Sequence, residues 1–156
     1  MMNLHDFENV LRDYPVNKIA FIGLGNPLRG DDAAGLIFLN RLHALNHFKE
    51  AWFIEAGTNP ENYLQQIIDC PASLVVFIDA SQWGGRPGEI TWLSSDNIDT
   101  IAISTHAFSI KMVEEYLQSE RQFDFRYLVI EPEYLDIGEG LSKSVSKSLD
   151  KFFESP

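Results

Sequence analysis

Three polar side chains stand where this chain can do chemistry. Asp32 closes the run IGLGNPLRGDD at residues 22–32, Asp79 follows the apolar run LVVFI at 74–78, and His106 ends the phrase ISTH at 103–106. Two carboxylates and an imidazole form a mixed donor set that suits a borderline divalent ion such as zinc or nickel, with positions left open for a substrate. Each residue also has a plainer use. An acid directly after a buried strand is costly unless it is solvated, hydrogen-bonded or coordinated, so Asp79 could instead accept N–H groups from the turn behind it. Asp31 or Asp32 could cap the helix that follows them, a contribution of about 1 kcal/mol. His106 could sit in the first turn of a helix with no chemical task.

The elements that must position these residues follow from hydrophobic periodicity. Ile19–Leu24 reads as a strand, and Gly23, Gly25 and Gly30 with Pro27 supply the turn after it. Ala34, Ile37, Phe38, Leu42 and Leu45 then recur at helical spacing. Ala51–Ala56 predicts a second strand, and Gly57-Thr58-Asn59-Pro60 a turn in which Thr58 or Asn59 caps a helix with Pro60 at its first position. That helix carries the stripe Tyr63, Leu64, Ile67 and Ile68. Leu74–Ile78 is continuous and β-rich, as a strand buried on both faces should be, and is expected to end at Asp79.

The loop SQWGGRPG comes next, expected to be mobile beside Asp79, with Trp83 either packing on a substrate segment or covering the edge of the core. A short strand around Glu89–Leu93 reads as a hairpin return or a sheet edge, and Ile101–Ile103 as another short strand. Ser104 or Thr105 caps a helix bearing Ile110, Val113, Tyr116 and Leu117. Arg126–Glu131 is the last strand, and Leu141, Val145, Leu149 and Phe152 mark the last helix. This alternation predicts an α/β fold of three layers, with a mainly parallel twisted sheet of about five strands and helices on both faces. Asp32, Asp79 and His106 would then share the carboxyl edge of the sheet, where open α/β proteins bind ligands.

The 156 residues fit a single α/β domain, 1–156, with residues 1–17 as a short helical or irregular lead-in. A net charge of −11 argues against a nucleic-acid partner, because phosphate binding rests on Lys and Arg. No apolar run is long enough to span a bilayer, and residues 1–17 lack the basic start and apolar core of a signal peptide, so no membrane partner and a cytoplasmic location are expected. The single cysteine, Cys70, reads as a small half-buried apolar residue at an element boundary, with no basic neighbour in the sequence to activate it.

Several other chemistries are missing. There is no G-x-S-x-G elbow for a serine nucleophile. His43 and His47 have the spacing of a zincin pair, but Ala44 stands where the general-base Glu belongs, so both read as solvent-side residues near a helix C-terminus. A nucleotide-binding reading of Gly23-x-Gly25, with Glu55 as the ribose acid, fails because Leu28 replaces the third glycine and no Walker lysine follows. The phrase IGLGNP also resembles the opening of peptidyl-tRNA hydrolases, yet no histidine lies between Gly25 and Arg41, and the acidic balance opposes tRNA.

Four phrases in order, IGLGNPLRGDD, FIEAGTNPEN, FIDASQWGGRPGEI and STHAFSIKMVEEYL, together with the late strand ending Ile130-Glu131-Pro132-Glu133, resemble the hydrogenase maturation endopeptidases. The resemblance runs from about Ile19 to Phe153 and is nearest the branch serving the formate-linked hydrogenase. It implies an enzyme that removes the C-terminal extension from the nickel-loaded large-subunit precursor of a [NiFe] hydrogenase. It also implies Asp32, Asp79 and His106 as the metal contacts, with Asp32 and Asp79 as the catalytic acids, one of them a general base. Asp31 is expected to be a helix cap. The nickel would be carried by the substrate, with zinc or another divalent ion able to substitute in the isolated protein. The family often has Gly after the acidic pair, where this chain has Ala33. The alternative is a nickel-binding chaperone without protease activity, which would hold free nickel tightly.

Overall fold

A computed structural model describes residues 1–94 and 107–154. Its five strands are β1 (Ile19–Leu24), β2 (Trp52–Gly57), β3 (Leu74–Ala80), β4 (Ile90–Leu93) and β5 (Asp124–Ile130), ordered β2-β1-β3-β5-β4. All pairs are parallel except β4 with β5. The helices are α1 (Leu4–Val10), α2 (Ala34–His43), α3 (Leu64–Asp69), α4 (Ala107–Glu120) and α5 (Lys143–Phe152). The expected α/β sheet with helices packed on both faces is therefore observed, including β4 as its antiparallel edge. The strand expected at Ile101–Ile103, and the cap at Ser104 or Thr105, lie outside the described residues.

β1 and β3 are buried along their whole length, as their unbroken apolar runs require. Alternation splits their side chains between the two faces. Ile19, Phe21, Leu74, Val76 and Ile78 join the core under α1, α2 and α5, whereas Ala20, Ile22, Leu24, Val75 and Phe77 join the core under α3 and α4. From β1 the chain crosses to β2 by way of α2, then returns past β1 to β3 by way of α3 on the opposite face. Right-handed crossovers in opposite directions must put their helices on opposite faces. The point where the direction reverses lies between β1 and β3, and it opens a crevice at their carboxyl ends.

Within residues 1–17, α1, started by a capping box between Asn3 and Asp6, drives Phe7 into the core, where it is fully buried. Two features depart from the sequence expectations. Strand β3 continues past Ile78, with Asp79 opposite Val129 and Ala80 opposite Ile130. Asp79 therefore lies within the sheet ladder and not after it, because β5 is long enough to keep pairing. On α4, Ile110, Val113 and Leu117 are buried as expected, while Tyr116 turns to solvent at 46% exposure.

The direction of α4 is set at its far end. Arg121 donates to the carbonyls of Cys70 and Ala72 and stacks over Phe123, and Asp124 N–H bonds Ser73 O, so α4 finishes where β3 and β5 begin. Its 14 residues span about 21 Å, which carries its first residue back to the carboxyl edge. There α4 packs against the short turn Pro60–Tyr63 that follows β2. Among the described residues no helix is long and apolar enough to cross a membrane.

Candidate active site

The corner after β1 is built so that the acidic pair lies in a buried 3-10 turn, Gly30–Ala33, packed against β3. Gly25 makes the corner possible. At its φ of 144° a Cβ would lie 2.0 Å from Asp32 O, so only glycine lets the chain fold back on that turn. Gly25 N–H also bonds Gly57 O, tying the corner to the end of β2. Asp32 is 4% exposed, and its Oδ2 accepts from Asn26 N–H at 2.9 Å. One turn later, Gly35 sits in the notch between β1 and β3. A Cβ there would lie 2.4 Å from Leu24 O, 2.7 Å from Ile78 O and 3.2 Å from Asp79 Cα. The start of α2 thus fills the switch point closely, with Gly35 against the backbone of Leu24, Ile78 and Asp79. Asp79 is 2% exposed and, by alternation, shares the α3/α4 face with Val75 and Phe77.

Asp31 does not cap α2. The residue at the cap position is Ala33, which makes no side-chain hydrogen bond, and the 3-10 turn itself supplies the partner through Ala34 N–H to Asp31 O. The Asp31 carboxylate instead faces the segment that joins β5 to α5. It accepts from Glu133 N–H at 2.8 Å, Tyr134 N–H at 3.3 Å, Ser142 N–H at 2.7 Å and Ser142 Oγ at 2.8 Å. Ser142 in turn caps α5 by accepting from Val145 N–H. One buried acid therefore holds both ends of a loop that returns to the crevice.

Glu131 does the same for the loop after Asp79, and the sequence reading gave it no such role. It is 5% exposed, with Oε1 accepting from Trp83 N–H at 3.1 Å and Gly85 N–H at 2.8 Å. Its own backbone bonds Gly88 and Glu89. The loop expected to be mobile is thus anchored at both ends, and the Trp83 indole folds over Gly85 in its own loop. The available signal was position: Glu131, like Asp79, is an acid at the carboxyl end of an apolar strand.

His106 lies outside the described residues. Among the described residues no group of three His, Cys, Asp or Glu side chains is arranged to hold a metal ion. The remaining candidates behave as expected. His43, in the last turn of α2, stacks on Phe53 at 4.1 Å, and His47 stands exposed in a short turn beyond it. Cys70 closes α3, and burial, aided by Asp69 and opposed by Arg121, pushes its thiol above the ordinary range. A buried, protonated thiol is a poor nucleophile.

A profile of the HycI family, described as hydrogenase maturation protease, matches residues 38–155, a span that includes Asp79 and His106 and starts after Asp32. A putative hydrogenase maturation protease of Methanocaldococcus jannaschii is 26% identical over 141 residues, covering 86% of this chain and 83% of that protein. The hydrogenase 3 maturation protease of Escherichia coli is 23% identical and covers 84% of this chain and 83% of its own length. Among solved structures, the crystal structure of a [NiFe] hydrogenase maturation protease HycI from Thermococcus kodakarensis superposes with a TM-score of 0.79 at 28% identity, over 94% of this chain and 93% of that one. These matches favour a protease over a chaperone without protease activity: the chain belongs to the HycI family of hydrogenase maturation proteases and is a hydrolase of hydrogenase maturation.

Proposed function

We propose that this protease removes the C-terminal extension from the large-subunit precursor of a [NiFe] hydrogenase, of the formate-linked branch, in the cytoplasm and after nickel has been loaded. One observation supports this reading above others. Asp32, in the turn after β1, and Asp79, near the carboxyl end of β3, are both nearly fully buried, and α4 begins at Ala107 on that same edge, one residue after His106 in the sequence. Two carboxylates withdrawn from water at one crevice favour a divalent cation between them. The precursor brings that cation already held by its own ligands. In the isolated protein, zinc or another divalent ion can use the same donors.

In this reading Asp32, Asp79 and His106 complete the coordination of the nickel that arrives with the substrate. Binding then depends on the metal, and the scissile bond is held in place only when the precursor is loaded. One of the two carboxylates takes the proton of the attacking water as a general base, and the burial of both keeps competing solvent out. The test is processing of the precursor with and without nickel. The wild-type protein should cut the loaded precursor and leave the nickel-free form intact. Equal cleavage of both forms would overturn the dependence on metal, and no cleavage of either would overturn the substrate.

A further inference from the structure

Beside the crevice lies a surface that neither the acids nor the core explains. The segment 131–142, between β5 and α5, is zipped onto the corner after β1. Gly138 N–H bonds Leu28 O at 2.8 Å, Gly30 N–H bonds Gly138 O at 2.8 Å, and Asp31 N–H bonds Tyr134 O at 3.1 Å. Arg29 Nε donates to Leu135 O, and Arg29 pairs with Gly138 as an isolated parallel bridge. From beneath, the Asp31 carboxylate holds Glu133, Tyr134 and Ser142. The segment is therefore ordered before anything binds.

Its outer side carries exposed apolar side chains. Leu28 is 56% exposed, Tyr134 40% and Ile137 88%. Among the described residues eight large hydrophobic side chains are exposed, and three of them fall on these two bonded segments. The register that sets Arg29 opposite Gly138 brings Leu28 alongside Ile137. Scattered exposed hydrophobics need no explanation, but a cluster on a pre-ordered loop beside a candidate active site marks an interaction surface. Acids frame it: Glu133, Asp136 and Glu139 are exposed, and no Lys or Arg occurs between Arg126 and Lys143. Arg29, on the corner itself, has its Nε engaged by Leu135 O.

We infer that Leu28, Tyr134 and Ile137, framed by Glu133, Asp136 and Glu139, are the docking surface for the hydrogenase precursor. The surface grips a segment of it, adjoining the bond to be cut, in which apolar side chains stand beside Lys or Arg. This rests on the substrate reading above. The apolar groups supply the contact, and the acidic frame selects the register and speeds encounter with a basic segment. Because the loop is already fixed, little ordering entropy is lost on binding.

The experiment measures steady-state processing of the nickel-loaded large-subunit precursor from the same organism. The proteins compared are the wild type, the double variant Leu28→Ser with Ile137→Ser, the double variant Asp136→Lys with Glu139→Lys, and the control Met112→Ser, an exposed apolar residue on α4. The first double variant should raise KM about tenfold or more with kcat held within about twofold and the melting temperature unchanged. The charge reversal should raise KM and abolish the weakening of binding by salt. Met112→Ser should match the wild type. Unchanged KM in both double variants, with the wild type active, would overturn the docking surface and leave the substrate reading standing. A wild type that leaves the precursor uncut overturns that reading and the docking surface with it. A dimer in sedimentation that the first double variant dissolves would assign the surface to a second copy of the chain and likewise overturn the proposal.

Discussion

Phe7, on the face covered by α1, α2 and α5, and Asp31, on the carboxyl edge, are both fully buried, but different forces hold them there. Phe7 is met by the rings of Phe21, Phe38, Phe48, Trp92 and Phe152, with centroids between 5.1 and 6.2 Å away. No single partner is essential to it, because dispersion and burial add over many weak contacts. Asp31 has few partners, and each is directional: four donors from Glu133, Tyr134 and Ser142 converge on two oxygens. The core face spreads its stability over volume. The edge concentrates it in single acids, each of which joins segments remote in sequence. Removing an acid from the edge therefore changes the shape of the site, whereas removing a ring from the core changes how much of the protein is folded.

The comparison can be broken most directly at Asp79. Asp79→Asn is nearly isosteric, so it should lower kcat for the loaded precursor by about a hundredfold or more while leaving the melting temperature close to that of the wild type. Processing at the wild-type rate would remove Asp79 from the chemistry. Phe7→Ala should do the reverse. It should cost about 3–5 kcal/mol in urea unfolding, with kcat per folded molecule retained. Loss of activity in the fully folded variant would show that α1 reaches the site.

Asp31→Ala should combine both effects. Each buried donor left unpaired costs about 1–3 kcal/mol, and because the return loop can let water reach some of them, a total loss of about 3 kcal/mol is expected. Hydrogen exchange should rise at 133–142 before it rises in β1 or β3, and processing should weaken with it. Exchange that rises uniformly would mean that Asp31 serves global stability only.

The smallest effect concerns alkaline pH. Burial raises the Cys70 thiol, and the hydrogen bond that Tyr14 donates to Asp124 raises the Tyr14 phenol. Both folded values lie above the unfolded ones, so their stabilisation is complete below the unfolded values and is lost as pH rises through the raised folded values. Stability measured across neutral pH should be flat with respect to these two groups and fall at alkaline pH. Cys70→Ala should reduce the slope of that fall. An unchanged slope would remove Cys70 as its cause.

Much of this was legible in one dimension because its cause is local. Apolar runs and helical spacing marked β1, β2, β3, α2 and the last helix, since side-chain periodicity depends only on neighbouring residues. The same periodicity put Asp79 close to the carboxyl end of a strand and Asp32 in the turn that leads from a strand to a helix. The direction in which each acid turns was settled elsewhere. Asp31 finds its partners 102 to 111 residues away, and Glu131 finds Trp83 48 residues away, so no window along the chain contains both members of either pair. Asp79 stays within the ladder because β5 lies opposite it, and Phe7 enters the core because five rings from other elements leave a space of its shape. Sequence alone determined the alternation of strands and helices and the acids near their junctions, through forces that act between neighbours. The tertiary structure decided which acids tie remote loops together, because that choice depends on hydrogen bonds and packing between segments that meet only on folding.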